Sequence, residues 1–339
     1  MNMAHAHKWI VGLIFAALAL SACQSSNVTP LAKPPESLAV DTSTSTCIAP
    51  YFDPVAFLPG NDRILFRSDS GIMILNLKTL EEEVVLDAPM QLVKAALSPN
   101  GKVLAWTLED HRIEIIELPS GKVLNTLTGH TGMVTALKFS QAGDKLYTAS
   151  HDNSVKVWDV EGSLVSDFYP GGGEVLGIGV SQDESKLAVV TFEGPQKLWN
   201  LQTNELIREI GSSGAFDGSD AGFSPNGQIV GVSPGNGQVS LWNVKDGTQL
   251  WSGGNYALAL SPDGKFMAYS DLDVDGNNVV VLRDLEDQQL VETLTGHTGL
   301  IWKLFFSDDG SLLVSTSNDI RLWQVEDGKL LYEFIVTCP

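Results

Sequence analysis

Basic charge is scarce in this chain: 21 Lys and Arg stand against 41 Asp and Glu in 339 residues, a net charge of −20. No block of Lys or Arg stands out. Binding to DNA, RNA or an anionic membrane surface rests on neutralising phosphates, so this balance argues against all three. Cysteine is scarcer still, at three, and two of the six His lie in the first eight residues. No His/Cys cluster has metal-ligand spacing, and no glycine loop is built to cradle phosphate. The apolar run Trp9 to Leu20 is too short to span a bilayer as a permanent helix.

What the chain does have is a repeat, clearest from Gly129 to Asp159. That stretch opens with Gly129-His130 and closes with Trp158-Asp159. Between them lie three short apolar runs, Val134 to Phe139, Lys145 to Ala149 and Val155 to Trp158, each bounded by turn residues as strands are. Length, order and the two dipeptides resemble one propeller-blade repeat of the WD-repeat family. Looser copies follow a turn ruler: Ser98-Pro99-Asn100-Gly101, Ser224-Pro225-Asn226-Gly227 and Ser261-Pro262-Asp263-Gly264. Variants start at Ser140, Ser181 and Ser307, with a degenerate first copy at Leu58. Pro fixes φ at the second turn position, Asn or Asp tolerates the third, and Gly takes the positive φ that follows. The seven copies recur at intervals of 37 to 46 residues. A second ruler is a third strand bearing Trp158, Trp199, Trp242 or Trp323, with Leu75, Ile116 and Arg283 at that position in the other copies. The resemblance covers residues 51–336 and implies an all-β, seven-bladed propeller with four antiparallel strands per blade. The C-terminus itself supplies the last fourth strand.

The N-terminus reads as targeting rather than fold. Lys8 precedes the apolar run, which ends Leu20-Ser21-Ala22-Cys23. That order of charge, apolar core and small residues fits a signal peptide, and its end resembles a bacterial lipobox. The resemblance implies that residues 1–22 are a lipoprotein signal peptide, cleaved before Cys23, and that Cys23 is acylated. An ordinary secretory signal with an incidental cysteine is the alternative. An acylated chain is anchored to a membrane without crossing it. Gln24 leans towards the outer membrane, facing the periplasm, by the sorting habit of envelopes with two membranes. Residues 24–46 are about half Ser, Thr and Pro, which cannot bury enough apolar surface to order. Residues 23–47 are therefore the acylated cysteine and a flexible tether spanning roughly 25 Å, and residues 48–339 form the propeller. Export implies an oxidising compartment, and chain ends meet in a closed ring. A Cys47–Cys338 disulfide is expected, contributing about 4–5 kcal/mol by loop closure; two free thiols are the alternative.

His130, Thr148, Asp152 and Trp158 match the family's internal hydrogen-bond network, and His297, Ser315, Asp319 and Trp323 offer a second set. These are structural expectations. Asp271, Asp273 and Asp275 alternate before Gly276, as calcium ligands do, but the closing acid is missing, so a polar hairpin tip is the competing reading. Gly231-Val232-Ser233-Pro234-Gly235 spells a nucleophile-elbow pattern without the strand-to-helix turn it needs. Aligning first strands on the turn places Asp53, Val93, Thr135, Leu176, Ser219, Tyr256 and Trp302 at one position near a channel mouth. Asp53, Tyr256 and Trp302 fall on consecutive blades, and aromatics beside a polar group suit a binding face. Trp302 also shares a strand face with Leu304 and Phe306, which leaves packing between blades as the other reading. With no catalytic constellation, no catalytic residue and no cofactor, the expectation is a non-enzymatic, monomeric, membrane-anchored scaffold for protein partners in the bacterial envelope. The alternative is a receptor for a small ligand, peptide or glycan at the channel.

Overall fold

The computed structural model describes residues 52–68, 71–79, 81–87, 94–211, 215, 219–233 and 238–335. Val93, the signal and tether, Cys23 and the Cys47–Cys338 pair lie outside the described residues. Seven four-stranded sheets, each in sequence order and antiparallel throughout, span residues 52–87, 95–127, 134–168, 175–210, 220–253, 255–294 and 303–335. The described residues contain no helix. The fold is a seven-bladed propeller, and its last fourth strand, Leu330–Ile335, pairs with Asp319–Gln324 within the same blade.

The serine of the turn ruler has a role that its neighbours do not reveal. Ser98 Oγ accepts the Val103 N–H at 3.0 Å and donates to Asn100 Oδ1 at 2.9 Å. Ser140, Ser181, Ser224, Ser261 and Ser307 do the same with a backbone N–H five residues on and a nearby Asp or Asn. The hydroxyl thus closes each first hairpin and is buried in doing so. Gly101, Gly143, Gly227, Gly264 and Gly310 take positive φ at the turn's end. In blade four Glu184 occupies that conformation instead, at φ 52°, and its carboxylate ties Lys145 at 2.7 Å and the Tyr147 hydroxyl at 3.1 Å to the neighbouring blade.

The core is divided between blades. Seven apolar clusters form, each shared by two successive blades. Burial on both faces of every inner sheet follows, and with it most of the hydrophobic stabilisation. The seam between the first and last blades is one of these clusters, joining Phe57, Ile64 and Phe66 to Val314, Ile320 and Phe334. Tyr332 donates its hydroxyl to Leu77 O at 2.8 Å, and Lys303 pairs with Asp53 at 3.0 Å across the same seam. Closure among the described residues is therefore apolar packing reinforced by polar links.

The first strands of blades four and five approach backbone to backbone. A Cβ on Gly177 would lie 2.5 Å from Ser219 O, and one on Gly179 2.6 Å from Ala221 O. Gly179→Ala is expected to cost about 2 kcal/mol by overpacking. Urea unfolding would show it as a lower midpoint with an unchanged slope.

Candidate interaction face at the channel mouth

In blade three the imidazole of His130 bridges Asp152 through Nδ1 (2.8 Å) and Thr148 through Nε2 (2.7 Å). Trp158 Nε1 donates to the same threonine hydroxyl at 3.0 Å. Burial pushes the Asp152 carboxyl up, but hydrogen bonds from Ser154, the Thr131 N–H and His130 outweigh it and hold it at about 2. Burial lowers the His130 pKa against the pull of Asp152, so the ring is neutral near pH 7. That assigns the proton to Nδ1, donated to Asp152, and lets Nε2 accept from Thr148. Blade seven repeats the arrangement. His297 pairs with Asp319 and meets Ser315 Oγ at 2.6 Å, and Trp323 Nε1 donates to Ser315 at 2.7 Å. Arg321, which the sequence pattern did not flag, adds a bond to Asp319 at 2.6 Å and a contact with Glu333. All eight residues are wired into the loops and strands of their own blades.

Blade four has the tryptophan without the network. Val189 stands opposite Lys197 where Thr148 stands opposite Lys156. The Trp199 Nε1 is consequently buried with no hydrogen-bond partner. Trp158→Phe is therefore expected to cost about 1–2 kcal/mol more than Trp199→Phe, since only the first breaks a made bond. Chemical denaturation of the two variants compares them directly.

The mouth at which the first strands begin carries ion pairs drawn from four blades. Asp53 sits between Lys303 (3.0 Å) and Arg67 (3.3 Å). Burial raises the Asp53 carboxyl, but these cations dominate and hold it below the ordinary carboxylate value. Asp220, level with Lys303 in register, pairs with Lys138 at 3.1 Å. Both border a cavity of about 250 Å³, with Gly222, Ala259 and Phe305 from blades five, six and seven. Lys138 comes from blade three across the ring, which identifies this cavity as the axial channel.

The expected rim position does not hold as one ring. Asp53 is engaged in its ion pairs inside the mouth rather than offered on the rim. Thr135, Leu176 and Ser219 at the aligned position are buried. The cause is a set of bulges in the first strands, at Thr135 and Leu176 and at Tyr256 with Ala257, which break the simple alternation. Tyr256 and Trp302 do reach the surface, 38% and 51% exposed. Leu304 and Phe306 pack in the core between blades six and seven while Trp302 stands clear of it. Tyr256 adopts a φ of 59°, unusual for an aromatic residue. Its bulge is pinned from both sides: Ser233 donates to Tyr256 O, and Ser270 donates to Asn255 O and accepts the Ala257 N–H at 3.1 Å. Ser233, the serine of the elbow-like pattern, is thus spent on holding a neighbouring blade.

Apolar exposure is lopsided. Outside the fourth strands, the exposed large apolar side chains are Tyr169, Phe192, Tyr256, Leu272, Val274, Leu300 and Trp302. All lie in or beside loops at the mouth where first strands begin; the turns at the opposite end contribute none among the described residues. The acidic hairpin belongs to the same face. Asp273 accepts the N–H groups of Asp275 (2.9 Å) and Asn277 (2.8 Å), and Asp271 accepts the N–H of Leu272 (2.8 Å). Asp271, Asp273 and Asp275 do not converge, and no group of three metal-ligating side chains gathers among the described residues. Asp273 thus caps its own turn, as the carboxylate of a polar hairpin tip does.

Comparison with known proteins agrees with this architecture. The family model described as "WD domain, G-beta repeat" matches residues 121–159 and 288–324. Each match runs from the fourth strand of one blade through the third strand of the next. Rice pre-mRNA-processing factor 19 is 26% identical over 253 residues, covering 72% of this chain and 47% of that protein. The COMPASS component SWD3 of Saccharomyces cerevisiae is 27% identical over 182 residues, covering 51% of this chain and 58% of its own length. The WD repeat-containing protein SL1-17 of Schistosoma mansoni is 30% identical over 201 residues, 55% of this chain and 63% of that one. The chain spans about half the length of the first two relatives. The seven blades, the two matched repeats and these relatives together support a WD-repeat protein.

Proposed function

We propose that the chain is a non-enzymatic scaffold, anchored to a bacterial membrane through acylated Cys23, that holds protein partners on the channel-mouth face. WD-repeat propellers generally act as protein-interaction scaffolds. The observation that carries the reading is the lopsided surface, with exposed aromatics around one mouth of the ring and, among the described residues, none at the other. Contiguous apolar exposure on one face marks an interaction site, and aromatic side chains dominate binding energy at such sites. The anchor rests on the residues from Lys8 to Cys23, and the membrane proposed is the outer one, with the propeller, as a monomer, facing the periplasm.

Metabolic labelling with an alkyne fatty acid tests the anchor. Label is expected on the wild-type chain and absent from Cys23→Ala, which is expected to leave the membrane fraction. An unlabelled, membrane-free wild type would refute the anchor and leave the docking face to be tested separately.

A further inference from the structure

Four cations share two carboxylates at the channel mouth. Asp53 is held by Lys303 and Arg67, and Asp220 by Lys138. Lys94 is the cation left over: its ammonium makes no ion pair among the described residues, although its backbone is fixed to Thr107 at 2.9 Å. Its place follows from register: Lys94 stands opposite Thr107 as Asp220 stands opposite Ser233 and Lys303 opposite Thr316, four residues before the turn serine in each blade, and Asp220 at that position lines the axial cavity. Confinement among protein atoms and the like charge of Lys303 lower its pKa, against Asp53 and Asp220, with Arg67 adding to the lowering. These groups come from blades one, five and seven, which only the axis brings together. Lys94 is nonetheless open to water. A wet, unpaired cation beside two others is a site with the hydrogen bonds of an anion unmade.

We propose that the channel mouth is a carboxylate-binding site with Lys94 as its anchoring cation, and that an acidic side chain of a docked protein partner fills it. The inference rests on the reading of this face as the docking face. A carboxylate between Lys94 and Lys303 would relieve their mutual repulsion and give Lys94 the charged hydrogen bond it lacks. Tyr256 and Trp302 on the rim would flank the entering segment, and Lys303 follows Trp302 directly in the chain. The long-range field constrains the partner further. A chain of charge −20 repels polyanions at distances up to the Debye length, about 8–10 Å at physiological salt. The cationic cluster acts only at contact. The partner is therefore one that carries an isolated Asp or Glu on an otherwise neutral or basic surface.

Titration calorimetry of the full chain in detergent at low salt tests this with three probes: N-acetyl-glutamate α-amide, the isosteric N-acetyl-glutamine α-amide, and free glutarate. The glutamate probe is expected to saturate with a Kd on the order of 1 mM, equivalent to about −4 kcal/mol, and the glutamine probe to show no binding. Lys94→Met is expected to weaken the glutamate probe at least tenfold, Lys94→Arg to restore it, and Lys122→Met, on an outer strand, to leave it unchanged. Because Lys94 breaks no bond in the fold, Lys94→Met should melt at or above the wild-type temperature, which separates lost binding from lost structure. Equal binding of the glutamine probe, wild-type affinity in Lys94→Met, or no saturation by any probe would overturn the site. Binding of glutarate alone would overturn the partner side chain as its source. None of these outcomes touches the docking reading itself, which partner retention by a Trp302 variant tests.

Discussion

Replacing Trp302 with alanine is expected to weaken partner binding by about 2 kcal/mol, roughly 25-fold, while lowering the melting temperature by no more than about 2 °C. Trp302 is half exposed, immediately before the first strand of blade seven, whereas Leu304 and Phe306 two and four residues on fill the core. Its removal takes little from the fold but takes the largest aromatic from the rim. Tyr256→Ala is expected to add to the binding loss with more structural effect, because its bulge is fixed by Ser233 and Ser270. Surface plasmon resonance against a purified partner, paired with a thermal melt, separates the two effects. A large fall in melting temperature with unchanged affinity would mean that Trp302 packs rather than binds.

Asp152→Ala carries the largest expected stability effect. It strips the partner from His130 Nδ1, Ser154 Oγ and the Thr131 N–H at once. Breaking a buried network in this way costs on the order of 3 kcal/mol, a drop of roughly 5 °C in melting temperature for a domain of this size. The acid dependence follows from the same groups. The Asp152 pKa falls from 3.8 unfolded to about 2 folded. Its contribution is full above pH 4 and lost as pH falls towards 2. The His130 pKa is lowered on folding from 6.5, so below that value the unfolded chain takes up the proton more readily and stability declines with falling pH. Wild-type stability should therefore decline below about pH 6.5 and more steeply below pH 4. In Asp152→Ala the steep segment should shrink. A melting profile for the variant parallel to wild type from pH 7 to pH 3 would contradict this assignment.

Blade number and strand order were legible because turn chemistry is local. Ser-Pro-Asn-Gly and its variants announce each hairpin without reference to the rest of the chain, and the Trp-bearing third strands confirm the spacing. The network residues were legible for the same reason, since His130 and Trp158 sit within one repeat. The channel mouth was legible in part. Counting back from the turn placed Asp53 there, but Lys94, Asp220 and Lys303, each one residue past the aligned position in its own blade, were not singled out as the charges the axis gathers. Register was the other obstacle. Bulges shift the first strands by one residue at Thr135 and Leu176 and by two at Tyr256 and Ala257, so a position counted back from the turn mixed buried and exposed side chains. One readable signal went unused. Ser68, Thr107, Ser150, Thr191 and Ser233 end successive second strands and Ser270 lies two residues before the end of the next, all buried, and each bonds backbone of a nearby loop or first strand. A hydroxyl recurring at one place in every repeat marks the end of the strand that carries the loops.

The most direct test of a tethered scaffold is crosslinked affinity purification from native membranes, with Cys23→Ala and Trp302→Ala run alongside wild type. A stoichiometric protein partner is expected with the wild-type chain, lost from Cys23→Ala because the chain no longer meets it, and reduced in Trp302→Ala because the face no longer holds it. A wild-type chain recovered alone under mild crosslinking, or a partner retained equally by both variants, would contradict the scaffold and its docking face.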